Sequence, residues 1–167
     1  MATLWAISDL HAGHRGNEHI VDRIHPKDPG DWLIVAGDVA ERVDDIADVL
    51  RRLSARFEKV VWVPGNHELY TTAKDPLQIH GVARYDYLVQ AARDLGVVTP
   101  EDIYPQFDPG NGGEPVRVVP MFLLYDYTFR PEGTTNALQA LAVARERNVV
   151  ATDEFLLSPE PFGTRDA

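Results

Sequence analysis

Three apolar runs in the first half of the chain each end in a short polar motif. The runs are residues 3–8, 31–36 and 59–63, and the motifs that follow them are Asp9-Leu10-His11, Gly37-Asp38-Val39 and Gly65-Asn66-His67-Glu68. The second run, Asp-Trp-Leu-Ile-Val-Ala, is almost continuously apolar, as in a strand covered on both faces. Ligands collect at the carboxyl ends of strands in open α/β sheets, so this pattern predicts parallel strands that share one site.

Helical periodicity separates and follows these runs, which favours an α/β fold built from βαβ units. Residues 44–57 carry apolar side chains at i, i+3, i+4 and i+7 and predict an amphipathic helix, and residues 81–95 predict another. Later in the chain we expect a turn at 109–115, a strand at 116–124 interrupted by Pro120, a helix at 136–147 and the opening of a further helix at 164–167.

Composition limits the classes of partner and compartment. The 167 residues suit a single domain, and the net charge of −10 disfavours binding to nucleic acid. There is no cysteine and no run of about 20 apolar residues that could span a membrane. We therefore expect a cytoplasmic protein that has no membrane partner.

The polar motifs contain the side chains that a hydrolytic metal site needs. Asp9 and His11 lie two residues apart and can reach one ion, and the carboxylate of Asp38 can bridge two ions. Asn66 supplies a neutral oxygen, and His67 supplies a proton donor or acceptor. Each motif alone also fits a solvated loop or a turn, but their conjunction after three strands favours metal-assisted phosphoester hydrolysis.

In order and spacing the three motifs resemble the first three motifs of the calcineurin-like metallophosphoesterases. Residues 31–42, 120–127 and 148–154 further resemble an actinobacterial group in that superfamily. One member of the group is a phosphopantetheine hydrolase, which removes the prosthetic arm from carrier proteins. The resemblance implies a β-sandwich flanked by helices (α/β/β/α) and hydrolysis of a phosphodiester or phosphomonoester by metal-activated hydroxide.

Residue roles follow from the same resemblance. Asp9 and His11 would bind a first metal ion, Asp38 would bridge, and Asn66 would bind a second ion, with Mn, Fe or Zn as candidates. His67 would protonate the leaving oxygen or stabilise the transition state. Tyr125, Asp126 and Arg130 follow the predicted 116–124 strand and are expected to line the substrate side, although a loop with buried tyrosines explains them equally well.

The sequence departs from the family pattern after residue 80. The lone histidine and the Gly-His-x-His motif of the family's C-terminal half have no counterpart here. We therefore expect residues 1–167 to be the N-terminal part of a metallophosphoesterase domain whose C-terminal half is its partner. His14, His19, His25 and His80 are predicted to be surface or loop histidines, and His14 and His80 are the candidates for proximity to the site.

Two classes of function stay open at this point. The first is a phosphoesterase, acting on an acyl or peptidyl carrier protein or alternatively on small nucleotides. The second is a catalytically silent binding domain that keeps the fold. Carrier proteins are usually acidic and so is this chain, so docking would need a basic patch, for which Arg51, Arg52 and Arg56 are candidates.

Overall fold

The computed structural model describes residues 1–17, 19–123, 128–150 and 152–157. Strands β1 (Leu4–Ile7), β2 (Trp32–Ala36) and β3 (Lys59–Val63) form a parallel sheet in chain order. Leu4 pairs with Trp32, and Trp32 in turn pairs with Lys59. The three predicted strands and their parallel arrangement are confirmed, so their carboxyl ends lie at the same edge of the sheet.

Two amphipathic helices cover one face of this sheet. They are α1 (Val43–Ser54) and α2 (Gly81–Asp94), and both match the predicted helices. The main core lies between them and the strand residues that point to this face, among them Leu33, Val35 and Trp62. Helix α1 ends three residues before the predicted position, but Phe57 stays buried in the turn that follows.

The opposite face of the sheet carries a smaller apolar layer. Strands β4 (Gln106–Phe107) and β5 (Val116–Arg117) form an antiparallel pair, and the turn predicted at 109–115 joins them. Phe107 and Val118 pack against Val61 on this face. The strand predicted at 116–124 is wrong in length, because regular pairing ends at Arg117, shortly before Pro120, which has no N–H to donate.

The last described elements are two helices, α3 (Ala137–Glu146) and α4 (Asp153–Leu156). Asn136 caps α3 by accepting a hydrogen bond from the backbone nitrogen of Gln139 at 3.0 Å, which confirms the helix predicted at 136–147. The helix opening predicted at 164–167 lies outside the described residues. Among the described residues, no helix has both the length and the apolar character needed to cross a bilayer.

Candidate metal centre

Backbone hydrogen bonds lock the first two polar motifs together at the carboxyl edge of the sheet. The backbone nitrogen of Asp9 donates to the carbonyl of Gly37 at 3.2 Å, and that of His11 donates to the carbonyl of Asp38 at 2.9 Å. The ladder continues with Ala12, whose nitrogen lies 2.8 Å from the carbonyl oxygen of Val39. The loop after β1 is therefore held in register with the loop after β2.

Three of the predicted site residues have left-handed backbone conformations. The φ angles are 55° at Asp9, 42° at His11 and 54° at Asp38. Residues with a side chain avoid this region, and each such position costs about 1–3 kcal/mol and persists only where the surrounding structure fixes it. Strain of this kind concentrates at functional sites, where it directs side chains that a regular strand would point elsewhere.

Glu68 is the group that fixes the loop after β2. Its carboxylate is fully buried and accepts hydrogen bonds from the backbone nitrogens of Asp38 at 3.0 Å, Val39 at 2.7 Å and Gly65 at 2.8 Å. Burial raises the pKa of Glu68, and the three N–H donors act in the opposite direction. One side chain thereby joins the Gly-Asp motif to the Gly-Asn-His-Glu motif.

His11, Asp38 and His67 form a cluster of possible metal ligands. One ligand atom from each lies within 4.8 Å of the others, and all three side chains are partly buried. The His11 and His67 rings meet edge to face with centroids 4.6 Å apart. The buried Nδ1 of His11 has no hydrogen-bond partner among the described residues. Imidazole and carboxylate donors with an unused buried nitrogen fit a transition-metal ion, so the residues present are suited to the metal that the motifs imply.

Glu41 connects two histidines beside this cluster. Its Oε1 lies 3.3 Å from Nδ1 of His67 and 3.3 Å from Nε2 of His14. His14 is exposed in its loop, as predicted for it, yet its ring centroid is 5.4 Å from that of His11. His80 is exposed just before α2 and does not belong to the cluster. Of the two histidines singled out for proximity, the structure therefore places His14 at the site.

Asn66 belongs to a second polar group at the same edge. Its Nδ2 donates to the Tyr70 hydroxyl at 2.9 Å and to Oδ1 of Asp153 at 2.7 Å. The buried Tyr70 hydroxyl also hydrogen-bonds to Oδ1 of Asp153. Burial and the hydrogen bond to Asp153 raise the pKa of Tyr70, so the phenol stays protonated and acts as the donor to that carboxylate.

The remaining predicted site residues are either not members of the cluster or not among the described residues. Asp9 is exposed and does not belong to the group of three, although its backbone is tied to Gly37. Arg130 is exposed, and its Nε donates to the carbonyl of Thr134 in the same loop at 3.0 Å. Tyr125 and Asp126 lie outside the described residues. The assignments of these four residues stay predictions.

Sequence reasoning assigned no role to Glu41, Glu68, Tyr70 or Asp153. The signal for Glu68 was present, since a glutamate next to a histidine in a tight turn has little local purpose. Glu41 follows Asp38 by three residues and gave a weaker signal of the same kind. Nothing local connects Asp153 to Asn66, because the two residues are 87 positions apart.

Comparison with known proteins defines the class to which this fold and site belong. The model of the calcineurin-like phosphoesterase family matches residues 2–149, so the chain belongs to that family. The predicted superfamily is thereby confirmed, and the family is one whose members use metal ions, although their identity and number here stay proposals.

Within this family, the chain is similar to one protein from Mycobacterium tuberculosis, both in sequence and in structure. The chain is 61% identical over 165 residues to the acyl-carrier-protein phosphodiesterase PptH, covering 99% of this chain and 50% of that protein. The crystal structure of phosphopantetheinyl hydrolase (PptH) from the same organism superimposes with a TM-score of 0.93, covering 99% of this chain and 58% of that one. The predicted fold type and the predicted actinobacterial resemblance are confirmed. The chain spans about half the length of the curated relative.

Proposed function

We propose that the protein is a metal-dependent phosphodiesterase that releases phosphopantetheine from an acyl or peptidyl carrier protein. The observation that carries the proposal is the cluster of His11, Asp38 and His67, with ligand atoms within 4.8 Å of one another at the carboxyl edge of the sheet. Its substrate is inferred from the 61% identity to PptH, which is named as an acyl-carrier-protein phosphodiesterase.

In this proposal, different residues of the chain bind the metal ions and orient the metal ligands. Asp9, His11, Asp38 and Asn66 would hold two ions of Mn, Fe or Zn. Bound metal supplies Lewis-acid charge to the phosphoryl group and a nucleophile at neutral pH. Glu68 orients Asp38 through the backbone hydrogen bonds described above.

His67 is the proposed proton donor to the leaving oxygen. Its Nδ1 faces Glu41 at 3.3 Å, which leaves Nε2 for the substrate.

Arg51 and Arg52 at the end of α1, and Arg56 just after it, already have partners within this chain, so we do not assign the docking surface for an acidic carrier protein to them. Arg51 pairs with Asp48 at 3.2 Å, and Arg52 pairs with Asp22 and Asp48. Arg56 donates to the carbonyl oxygens of Val21 at 2.6 Å and Ile24 at 3.0 Å. Arg51 and Arg52 also lie in the last turn of α1, about 12–14 Å along the helix from its first residue, Val43, at ~1.5 Å per residue. The substrate side is instead proposed to involve Tyr125, Asp126 and Arg130.

We further propose that residues 1–167 are part of one domain that a C-terminal half of the same protein completes. Two observations support this: the 50% coverage of the relative, and the exposed apolar side chains late in the chain. Leu123 is 77% exposed and Phe155 is 73% exposed, and exposed apolar side chains that lie together mark interaction surfaces. We also propose a cytoplasmic, reducing environment, on the absence of cysteine from residues 1–167.

The test combines metal content with turnover in the protein made from its complete gene. Carrier protein bearing phosphopantetheine is incubated with the Mn²⁺-loaded protein, and conversion to the unmodified form is followed by mass spectrometry. We expect conversion by the wild type, loss of both metal and conversion in His11→Ala, and no change in His19→Ala, whose side chain is 87% exposed. If nucleotides or aryl phosphodiesters react but the carrier protein does not, the proposed substrate is wrong. If the wild type holds no metal, the protein is a silent binding domain.

A further inference from the structure

We propose that Asp153 is a positioning residue for Asn66, which it holds with the amide oxygen presented to the metal centre. The inference rests on the proposed function, since it takes Asn66 as a metal ligand. It also gives a role to residue 153 in the segment 148–154, one of the segments that resemble the actinobacterial group. The proposed reaction does not otherwise use this segment.

The hydrogen bonds determine which way the amide faces. Asn66 Nδ2 donates to two acceptors, the Tyr70 hydroxyl at 2.9 Å and Oδ1 of Asp153 at 2.7 Å. Rotating the amide by half a turn would place its oxygen against the carboxylate of Asp153, which cannot donate, and lose the hydrogen bond to that group. A hydrogen bond to a charged group is stronger than one between neutral groups, so the orientation that donates to Asp153 dominates. The oxygen is thus directed away from Asp153, as a metal ligand requires.

Tyr70 reinforces this arrangement from the other side. Its hydroxyl donates to the same oxygen of Asp153 that accepts from Asn66, and its ring lies 4.6 Å from the ring of His67. The carboxylate is therefore itself oriented, and the three side chains form a closed triangle next to the cluster. Groups that orient metal ligands in this way typically change metal affinity 10–100-fold when they are removed.

A purely structural role, in which Asp153 fastens α4 to the body of the protein, is the alternative that the test must separate. The side chain of Asp153 is only 8% exposed. Burying a carboxylate to hold a short helix in place has a large desolvation cost, whereas apolar packing of similar volume would hold the helix without desolvating a charge. The hydrogen bond from the proposed metal ligand Asn66 explains why a carboxylate is buried at this position.

The experiment measures Mn²⁺ stoichiometry and affinity by calorimetry, and thermal stability in parallel, on the protein made from its complete gene. The variants are Asp153→Ala, Asp153→Asn and Tyr70→Phe. Leu156→Ala serves as a structural control, because it loosens α4 through a half-buried apolar side chain and removes no polar contact. Asp86→Ala, on the exposed side of α2, controls for the loss of a charge.

We expect Asp153→Ala to weaken one of two Mn²⁺ sites 10–100-fold and leave the other unchanged. Asp153→Asn should keep most of the affinity, since its side-chain oxygen still accepts from Asn66, and Tyr70→Phe should have a smaller effect. The inference is overturned if Asp153→Ala binds Mn²⁺ as the wild type does, or if Leu156→Ala causes the same loss at equal stability. It is equally overturned if Asp153→Asn is as defective as Asp153→Ala, because Asp153 would then be a ligand itself. A wild type that binds no Mn²⁺ overturns the proposed function as well.

Discussion

At Gly65 the carboxyl edge of the sheet leaves no room for a side chain. A methyl group there would run into the Asp38 carboxylate and lie 2.9 Å from the Asp38 backbone nitrogen. That nitrogen is held by Glu68 and cannot retreat. We expect Gly65→Ala to displace the carboxylate, abolish metal binding and destabilise the fold by about 1–3 kcal/mol. Gly30→Ala is the matched control, since its nearest neighbour is the Ala2 Cβ at 3.3 Å. Normal metal content in Gly65→Ala would show that the close approach is dispensable.

His67 can act as a ligand or as an acid, and one substitution distinguishes the two roles. As the proton donor, His67→Ala should slow turnover on the order of 10²–10⁴-fold while metal content stays near that of the wild type. If His67 is instead a metal ligand, His67→Ala should lose metal and activity together, and the proposed role would be wrong. Metal analysis and the initial rate are measured on the same preparation, with His19→Ala as the control.

Among the elements, α2 is fastened to both site loops by the buried side chain of Arg84. Its Nε donates to the carbonyl of Glu68 at 2.7 Å, and Nη2 donates to the carbonyl of Glu41 at 2.7 Å and to Asp75 Oδ2 at 2.9 Å. Arg84→Met leaves the buried Asp75 carboxylate without this cation, so we expect a loss of about 3–5 kcal/mol in the free energy of unfolding. Denaturant titration should show that the double variant Arg84→Met/Asp75→Leu loses less free energy of unfolding than the two single variants lose in sum. Additive losses would mean that the pair is not coupled.

Asp31 joins β1, β2 and the loop between them. Its buried carboxylate accepts from the indole nitrogen of Trp5 at 2.8 Å and from the backbone nitrogens of Thr3, Lys27 and Asp28. Burial is the largest single influence and would raise the pKa of Asp31, but the four donors together outweigh it and lower that pKa from 3.8 to about 2. A lowered pKa means that the stabilisation is complete above about 4 and is lost as pH falls towards about 2.

We therefore expect Asp31→Asn to flatten the acid limb of the stability curve in that pH window. Urea unfolding between pH 2 and pH 6 measures it, with the exposed Asp86→Asn as the control. If the two variants have the same pH dependence, Asp31 does not contribute to acid unfolding.

The elements that the sequence predicted well are those encoded by local pattern. Strands β1 to β3 and helices α1 and α2 follow from apolar runs and from 3.6-residue periodicity, which neighbouring residues determine by themselves. The strand at 116–124 failed because strand formation also needs a partner, and β5 pairs for two residues with β4. The cluster at the sheet edge was predictable because parallel strands bring their carboxyl ends together, whereas the contact of Asp153 with Asn66 depends on tertiary packing alone.

For the molecule as a whole, the two faces of the sheet are covered unequally in the described part of the chain. The face under α1 and α2 has a continuous core, while the other has the small cluster around Val61, Phe107 and Val118. Later in the described part of the chain, Leu123 and Phe155 are mostly exposed, and Phe129 is fully exposed. Exposed apolar side chains favour association with another polypeptide segment where they lie together on one surface.

The last prediction concerns the 167-residue chain studied alone. In the proposed ligand set, Asp9, His11 and Asp38 offer three donors for one ion, but a second ion would rely on Asp38 and Asn66 alone. Two oxygen ligands hold a transition metal weakly. We expect this chain to bind no more than one ion well, to hydrolyse an aryl phosphodiester poorly and to self-associate through the uncovered face. Supplying the C-terminal half of the protein, covalently or as a fragment, should restore metal binding and turnover together. A monomer on size exclusion that holds two metals and has full activity would contradict the ligand count, and His14, whose ring lies 5.4 Å from that of His11, would then be the substitute ligand to mutate.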